Sequence, residues 1–100
     1  MLSKNQIKLI KSLKNKKQRH LNKMFIVEGK KSVSEFINSK YDLHKLFSIN
    51  ISDFNLTNTV QISESELSKI SFLTNPKDHL AIFTIPIEKP VNENKLLVGL

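Results

Sequence analysis

Apolar residues along this chain change period from segment to segment, and the changes mark out its elements. Ser3-Lys4-Asn5-Gln6 has the S-x-x-Q form of a capping box, which predicts a helix starting at Ser3. At 100° per residue Ile7, Leu9, Ile10 and Leu13 fall on one arc of that helix, with Lys4, Lys8 and Lys11 on the opposite face. The polar run Asn15-Lys16-Lys17-Gln18-Arg19-His20 reads as a turn leading to Met24-Phe25-Ile26-Val27, a short apolar block of the buried-strand kind. Gly29 breaks that block, and Val33, Phe36 and Ile37 then form a helical stripe over about 30–38. Residues 43–49 read as a strand, 52–58 as a turn-rich connection and 60–62 as a short strand. Ser63-Glu64-Ser65-Glu66 is a second capping box, opening a helix that turns Leu67, Ile70 and Leu73 inward. After a turn at Asn75-Pro76-Lys77-Asp78, residues 80–85 make the strongest strand of the chain.

The order helix, strand, helix, strand, strand, helix, strand predicts a three-layer α/β domain around a mainly parallel or mixed sheet. Residues 87–95 follow Pro86 with polar, Pro-interrupted linker composition. Leu96-Leu97-Val98-Gly99-Leu100 then begins a new apolar run, expected to be the first strand of a further domain. The expected division is thus a folded body over 1–86, a linker over 87–95 and the start of a second unit over 96–100.

One hundred residues and an apolar content of 39% suffice for one core. The absence of Cys excludes disulfides and thiolate metal sites and suits a cytoplasmic location. His20, His44 and His79 are too widely spaced to form a metal-binding pair. No apolar run approaches the roughly 18–20 residues a membrane span needs, and the N-terminus lacks the apolar region of a secretory signal. Residues 1–24 are amphipathic, basic and free of acid, as organellar transit peptides are. Those peptides favour Arg, whereas this segment has a single Arg, so a folded basic helix is the stronger reading.

Charge changes the picture most. Ten of the sixteen Lys and Arg residues lie in the first 31 positions, beside a single acid, Glu28. Clustered cations on one element create a field that collects polyanions, so the ligand class indicated is nucleic acid. A Lys stripe is ordinarily a solvated helix face, but such faces mix signs, and the stripe of Lys4, Lys8 and Lys11 has no compensating acid. Lys14, Lys16, Lys17, Arg19 and His20 extend it. Arg19 is the strongest single candidate, because a guanidinium can clamp phosphate bidentately and stack on a base. Its competing role is a salt bridge to Glu28 or another carboxylate. Lys30 and Lys31 open a helix where cations oppose the dipole, a placement that hints at a ligand, although two solvent-exposed lysines are the commoner explanation. Glu28-Gly29 at a strand-to-helix junction is read as structural, the glycine supplying backbone geometry and the glutamate satisfying amides. Lys69 and Lys77 belong to the acid-balanced remainder and are expected to contribute little. No phosphate-binding loop, dinucleotide fingerprint or nucleophile elbow occurs.

Lys14-Asn15-Lys16-Lys17-Gln18-Arg19-His20, followed by Phe25-Ile26-Val27-Glu28-Gly29 and a helix carrying Val33, resembles the opening of SpoU-type (TrmH-like) RNA ribose methyltransferases. Leu67-Ser68-Lys69-Ile70-Ser71, then Pro76 and Leu80-Ala81-Ile82-Phe83, resembles the family's next conserved block, and the spacing fits. Asp78 departs from the small residue common there. The resemblance covers 1–86 and implies the family's N-terminal substrate-binding domain: a mixed four-stranded sheet between helices, similar to the kink-turn-binding ribosomal proteins. It implies RNA, ribosomal or transfer, as partner, with Lys4, Lys8, Lys11, Lys14, Lys16, Lys17, Arg19, His20, Lys30 and Lys31 as the binding candidates. It also implies that the knotted S-adenosylmethionine domain lies beyond residue 100, so that residues 1–100 hold no catalytic residue and no cofactor. The full enzyme is expected to dimerise through that domain and this segment to be monomeric. The competing readings are a free-standing RNA-binding protein of the kink-turn type and, more weakly, a protein-interaction module.

Overall fold

Both capping boxes form. Ser3 Oγ accepts from the Gln6 amide at 3.1 Å while Gln6 Oε1 accepts from the Ser3 amide at 2.9 Å, and Ser63 and Glu66 repeat the exchange. A computed structural model describes residues 2–54 and 56–86. The linker and terminal strand expected over 87–100 lie outside the described residues. The elements are α1 (Lys4–Ser12), α2 (Lys16–Asn22), β1 (Met24–Glu28), α3 (Lys30–Ile37), β2 (Asp42–Ser48), a single 3-10 turn at Ile51–Asp53, β3 (Thr59–Gln61), α4 (Glu64–Ile70) and β4 (His79–Thr84).

The sheet order is β1-β4-β2-β3, with β4 antiparallel to both neighbours and β2 parallel to β3. It is the mixed four-stranded sheet expected. β4, buried along nearly all its length, is central and antiparallel, which explains why it reads as the most apolar segment. Its alternation divides the core. Leu80 and Ile82 face the layer of Ile10, Leu13, Leu67 and Ile70 from α1 and α4, whereas Ala81 and Phe83 face Val33 of α3. Phe25, Phe36, Tyr41 and Phe83 cluster on the α3 side, with ring centroids 5.0–5.9 Å apart. The result is a three-layer α/β/α sandwich with α1 and α4 on one face and α3 on the other.

Two expectations need correction. Residues 15–20 are not a turn: Asn15 Oδ1 accepts from the Lys17 and Gln18 amides and starts α2. No residue of α2 is buried, so hydrophobic burial does not hold it. Its cap is worth about 1 kcal/mol. The Arg19 side chain adds charge-assisted bonds back to the end of α1, and these also set the angle between the two helices. Lys23, at φ 55°, ends α2 in the left-handed region, and its carbonyl accepts from the Ile85 amide at 2.8 Å, fixing the entry into β1. The second correction is Leu73. α4 stops at Ile70, one turn early, and Leu73 is 43% exposed. Glu28 causes the stop by accepting from Ser71 Oγ at 2.6 Å and from the Phe72 amide at 2.9 Å, which draws the chain away from the helix axis.

Candidate nucleic-acid interface

Lys4, Lys8, Lys11 and Lys14 are exposed along α1 and its end, opposite the Ile10 and Leu13 side that enters the core. Lys16, Lys17 and His20 are exposed on α2. Among the described residues the ion pair is Lys30–Asp53, with His79 hydrogen-bonded to the same carboxylate, so none of these six lysines, nor His20, has an acidic partner. The first turns of both helices also lack acids. The position of α1 is fixed from its far end by α4: Glu66 accepts from the Leu2 amide at 3.1 Å as well as closing its own capping box. Those backbone donors hold the Glu66 carboxyl below the usual carboxylate range, Ser63 contributing most and Leu2 next.

Arg19 neither pairs with Glu28 nor projects freely. Its Nη1 donates to the carbonyls of Leu13 at 3.0 Å and Lys14 at 2.9 Å, capping the carbonyl end of α1 from the next helix. This cation fixes the α1–α2 corner and with it the spacing of the surrounding lysines. Two concavities flank the corner. One, of about 250 Å³, lies between the ends of α1 and α4 and is lined by Lys11, Lys14, Lys69 and Phe72. Lys69, set aside on sequence grounds, therefore belongs to the basic face. Its place follows from two helix ends converging, which charge counting along the chain does not show. The other, of about 390 Å³, is bordered by Lys16, Arg19 and His20 over an apolar floor.

Lys30 and Lys31 line neither concavity: they start α3, which packs on the other side of the sheet from α1 and α4 and reaches the larger concavity only with Phe36 near its far end. Lys30 Nζ lies 3.5 Å from Asp53 Oδ1, and Asp53 Oδ2 lies 2.8 Å from Nε2 of His79, which is buried. The His79 bond, followed by Lys30, holds the Asp53 carboxyl below its usual range. Gly29, at φ 96°, occupies a conformation costly for other residues, and its amide donates to the His79 carbonyl at 3.0 Å. The junction read as structural is structural, although Glu28 satisfies the segment after α4 rather than the start of α3. Among the described residues no cluster of His, Asp and Glu could hold a metal ion, and no helix is long and apolar enough to cross a membrane.

Residues 4–81 match the family model described as the MRM3-like substrate binding domain. Among solved structures, the chain is similar to a protein from Porphyromonas gingivalis described as an RNA methyltransferase of the TrmH family. The TM-score is 0.76 at 32% identity, over 90% of this chain and 38% of that one. An RNA 2'-O ribose methyltransferase gives a TM-score of 0.72 at 22% identity, over 93% of this chain and 39% of that one. An rRNA methyltransferase from Sinorhizobium meliloti gives 0.67 at 22% identity, over 88% of this chain and 36% of that one. This chain therefore spans well under half the length of each. No functionally curated protein matches it.

Proposed function

The chain belongs to the family of MRM3-like substrate-binding domains, and on that premise we propose that residues 4–81 hold the RNA substrate of a SpoU/TrmH-type 2'-O-ribose methyltransferase. The observation that carries this reading is the α1–α2 face, where Lys4, Lys8, Lys11, Lys14, Lys16, Lys17 and His20 are exposed and, among the described residues, unpaired with any acid. A surface of one sign on a rigid corner suits a phosphate backbone, which neutralises several cations at once and gains counterion release.

The described residues do not fit S-adenosylmethionine. Gly29 is the one described glycine, and its positive φ serves the β1–α3 junction rather than a glycine-rich loop. The methyl donor and the chemistry belong to chain beyond residue 100. The RNA is ribosomal or transfer RNA, met in the cytoplasm. The domain acts as a monomeric grip within an enzyme that dimerises elsewhere.

The test is filter binding of the 100-residue chain to ribosomal and transfer RNA transcripts across a salt series. With about four or five phosphate contacts, log K should fall against log[salt] with a slope of roughly −3 to −4. Binding that is absent at low salt, or indifferent to salt, overturns the proposal.

A further inference from the structure

The larger concavity beside the α1–α2 corner has a construction that phosphate binding alone does not require. Its floor is Phe25, Phe36 and Tyr41, whose ring centroids lie 5.0–5.6 Å apart, and its border is Lys16, Arg19 and His20. The three rings are only half-buried, so aromatic surface faces the opening, and no acid lines it. At about 390 Å³ it is within the size range of small-ligand pockets. Arg19 is locked in the wall by its Nη1 bonds to Leu13 and Lys14, which leaves Nε and Nη2 without a partner among the described residues. A guanidinium fixed this way is a preorganised donor and stacking plane.

We propose that this cavity receives one unpaired nucleobase of the bound RNA. The base enters against the exposed edges of the Phe25, Phe36 and Tyr41 rings, Arg19 meets its polar edge, and Lys16 and His20 take the adjoining phosphates. Continuity supports RNA over a peptide, because α2 carries both the cavity border and part of the basic face. Arg19 joins the two, because it lines the cavity and bonds the carbonyls of Leu13 and Lys14 at the end of α1. Aromatic floor with cationic rim is how single-stranded nucleic acid is held without reading its sequence. The inference rests on the RNA-binding role and adds that the RNA must be single-stranded at this point.

The test uses the full 100-residue chain, a short single-stranded RNA bearing 4-thiouridine, and an abasic ribose-phosphate strand of the same length. Photocrosslinks in the wild-type chain should fall on Phe25 or Tyr41. Tyr41→Ala should weaken single-stranded RNA about tenfold with an unchanged salt slope. It should leave the abasic strand unaffected, while Tyr41→Phe keeps wild-type affinity. If Tyr41→Ala lowers the melting temperature, the wild-type crosslink alone decides. Crosslinks confined to α1, or equal losses on both strands, overturn the nucleobase site while leaving the phosphate-binding face intact. Protection of the cavity by residues 87–100, seen as crosslinks gained only on truncation after Pro86, overturns it also. Absence of all RNA binding removes this inference together with the function it rests on.

Discussion

Two groups of cations in this domain differ in what has been done with their charge. Along α1 and α2, lysines stand on exposed helix faces with no acid within pairing distance among the described residues. At the start of α3, Lys30 meets Asp53, which is itself held by the buried His79. The first group keeps its field available to an incoming polyanion. In the second, a carboxylate on a neighbouring loop pairs with the exposed Lys30 and, through His79, ties the 3-10 turn to β4, while Lys31 stays exposed. A lysine count treats the two alike, whereas the fold separates charge that is free to bind from charge already engaged. Arg19 is intermediate, a cation in the binding corner whose Nη1 is spent on holding that corner together.

The strongest way to break this contrast is to reverse charge on the free group. Lys8→Glu with Lys11→Glu should make the slope of log K against log[salt] shallower by about two. It should weaken RNA binding by about tenfold or more near 0.1 M salt. Both side chains are exposed on the side away from Ile10, so thermal unfolding should change little. Filter binding and circular dichroism on one preparation check the two halves, and a large fall in melting temperature would mean that the face is structural.

Much of this was legible in the chain. The capping boxes, the apolar run of β4 and the stripes of α1 and α3 each follow from local chemistry, and each lies within a residue or two of its expected place. Most of what escaped reading depends on contacts between elements, although the Asn15 cap that starts α2 is a local signal. α2 has no apolar stripe to find, because an Asn cap and an arginine reaching back to α1 hold it. α4 ends early because a glutamate on β1 captures the following backbone. The basic face was visible as composition, yet Lys69 joins it only where two helix ends meet. Lys30 lies off it because α3 packs on the other side of the sheet, where the 3-10 turn brings Asp53 to it.

Arg19→Ala comes next in size. Losing two charge-assisted bonds on a partly exposed side chain should cost about 1–2 kcal/mol by urea unfolding. RNA affinity should fall as well, because the α1–α2 angle is no longer set. Arg19→Lys keeps the charge and at most one of the bonds, so a stability near wild type would show that the geometry assigned to Nη1 is not needed. Lys69→Glu should act more weakly still. It should flatten the salt slope by about one, as for a single phosphate contact, with no change in melting temperature. Lys77→Glu, at the Gly29 end of the molecule, should leave the slope alone, and equal slopes for the two variants would remove Lys69 from the face.

The smallest effect on binding should come from the engaged group. Asp53→Asn removes the carboxylate that holds Lys30 and His79, so it should lower stability near neutral pH without weakening RNA. The pH dependence has a definite sign. The folded-state pKa of Asp53 lies below its unfolded value of about 3.8, chiefly through the His79 bond and then through Lys30. Its contribution is therefore complete above that value and disappears as pH falls through the lower, folded one. Urea midpoints for wild type and Asp53→Asn should differ at pH 6–7 and converge as pH drops below about 4. A gap that persists unchanged into acid would mean that the carboxylate is not what stabilises this turn. Loss of RNA affinity on the scale of the Lys8 and Lys11 reversal would place Asp53 and Lys30 on the binding face, and the division between free and engaged cations would not hold.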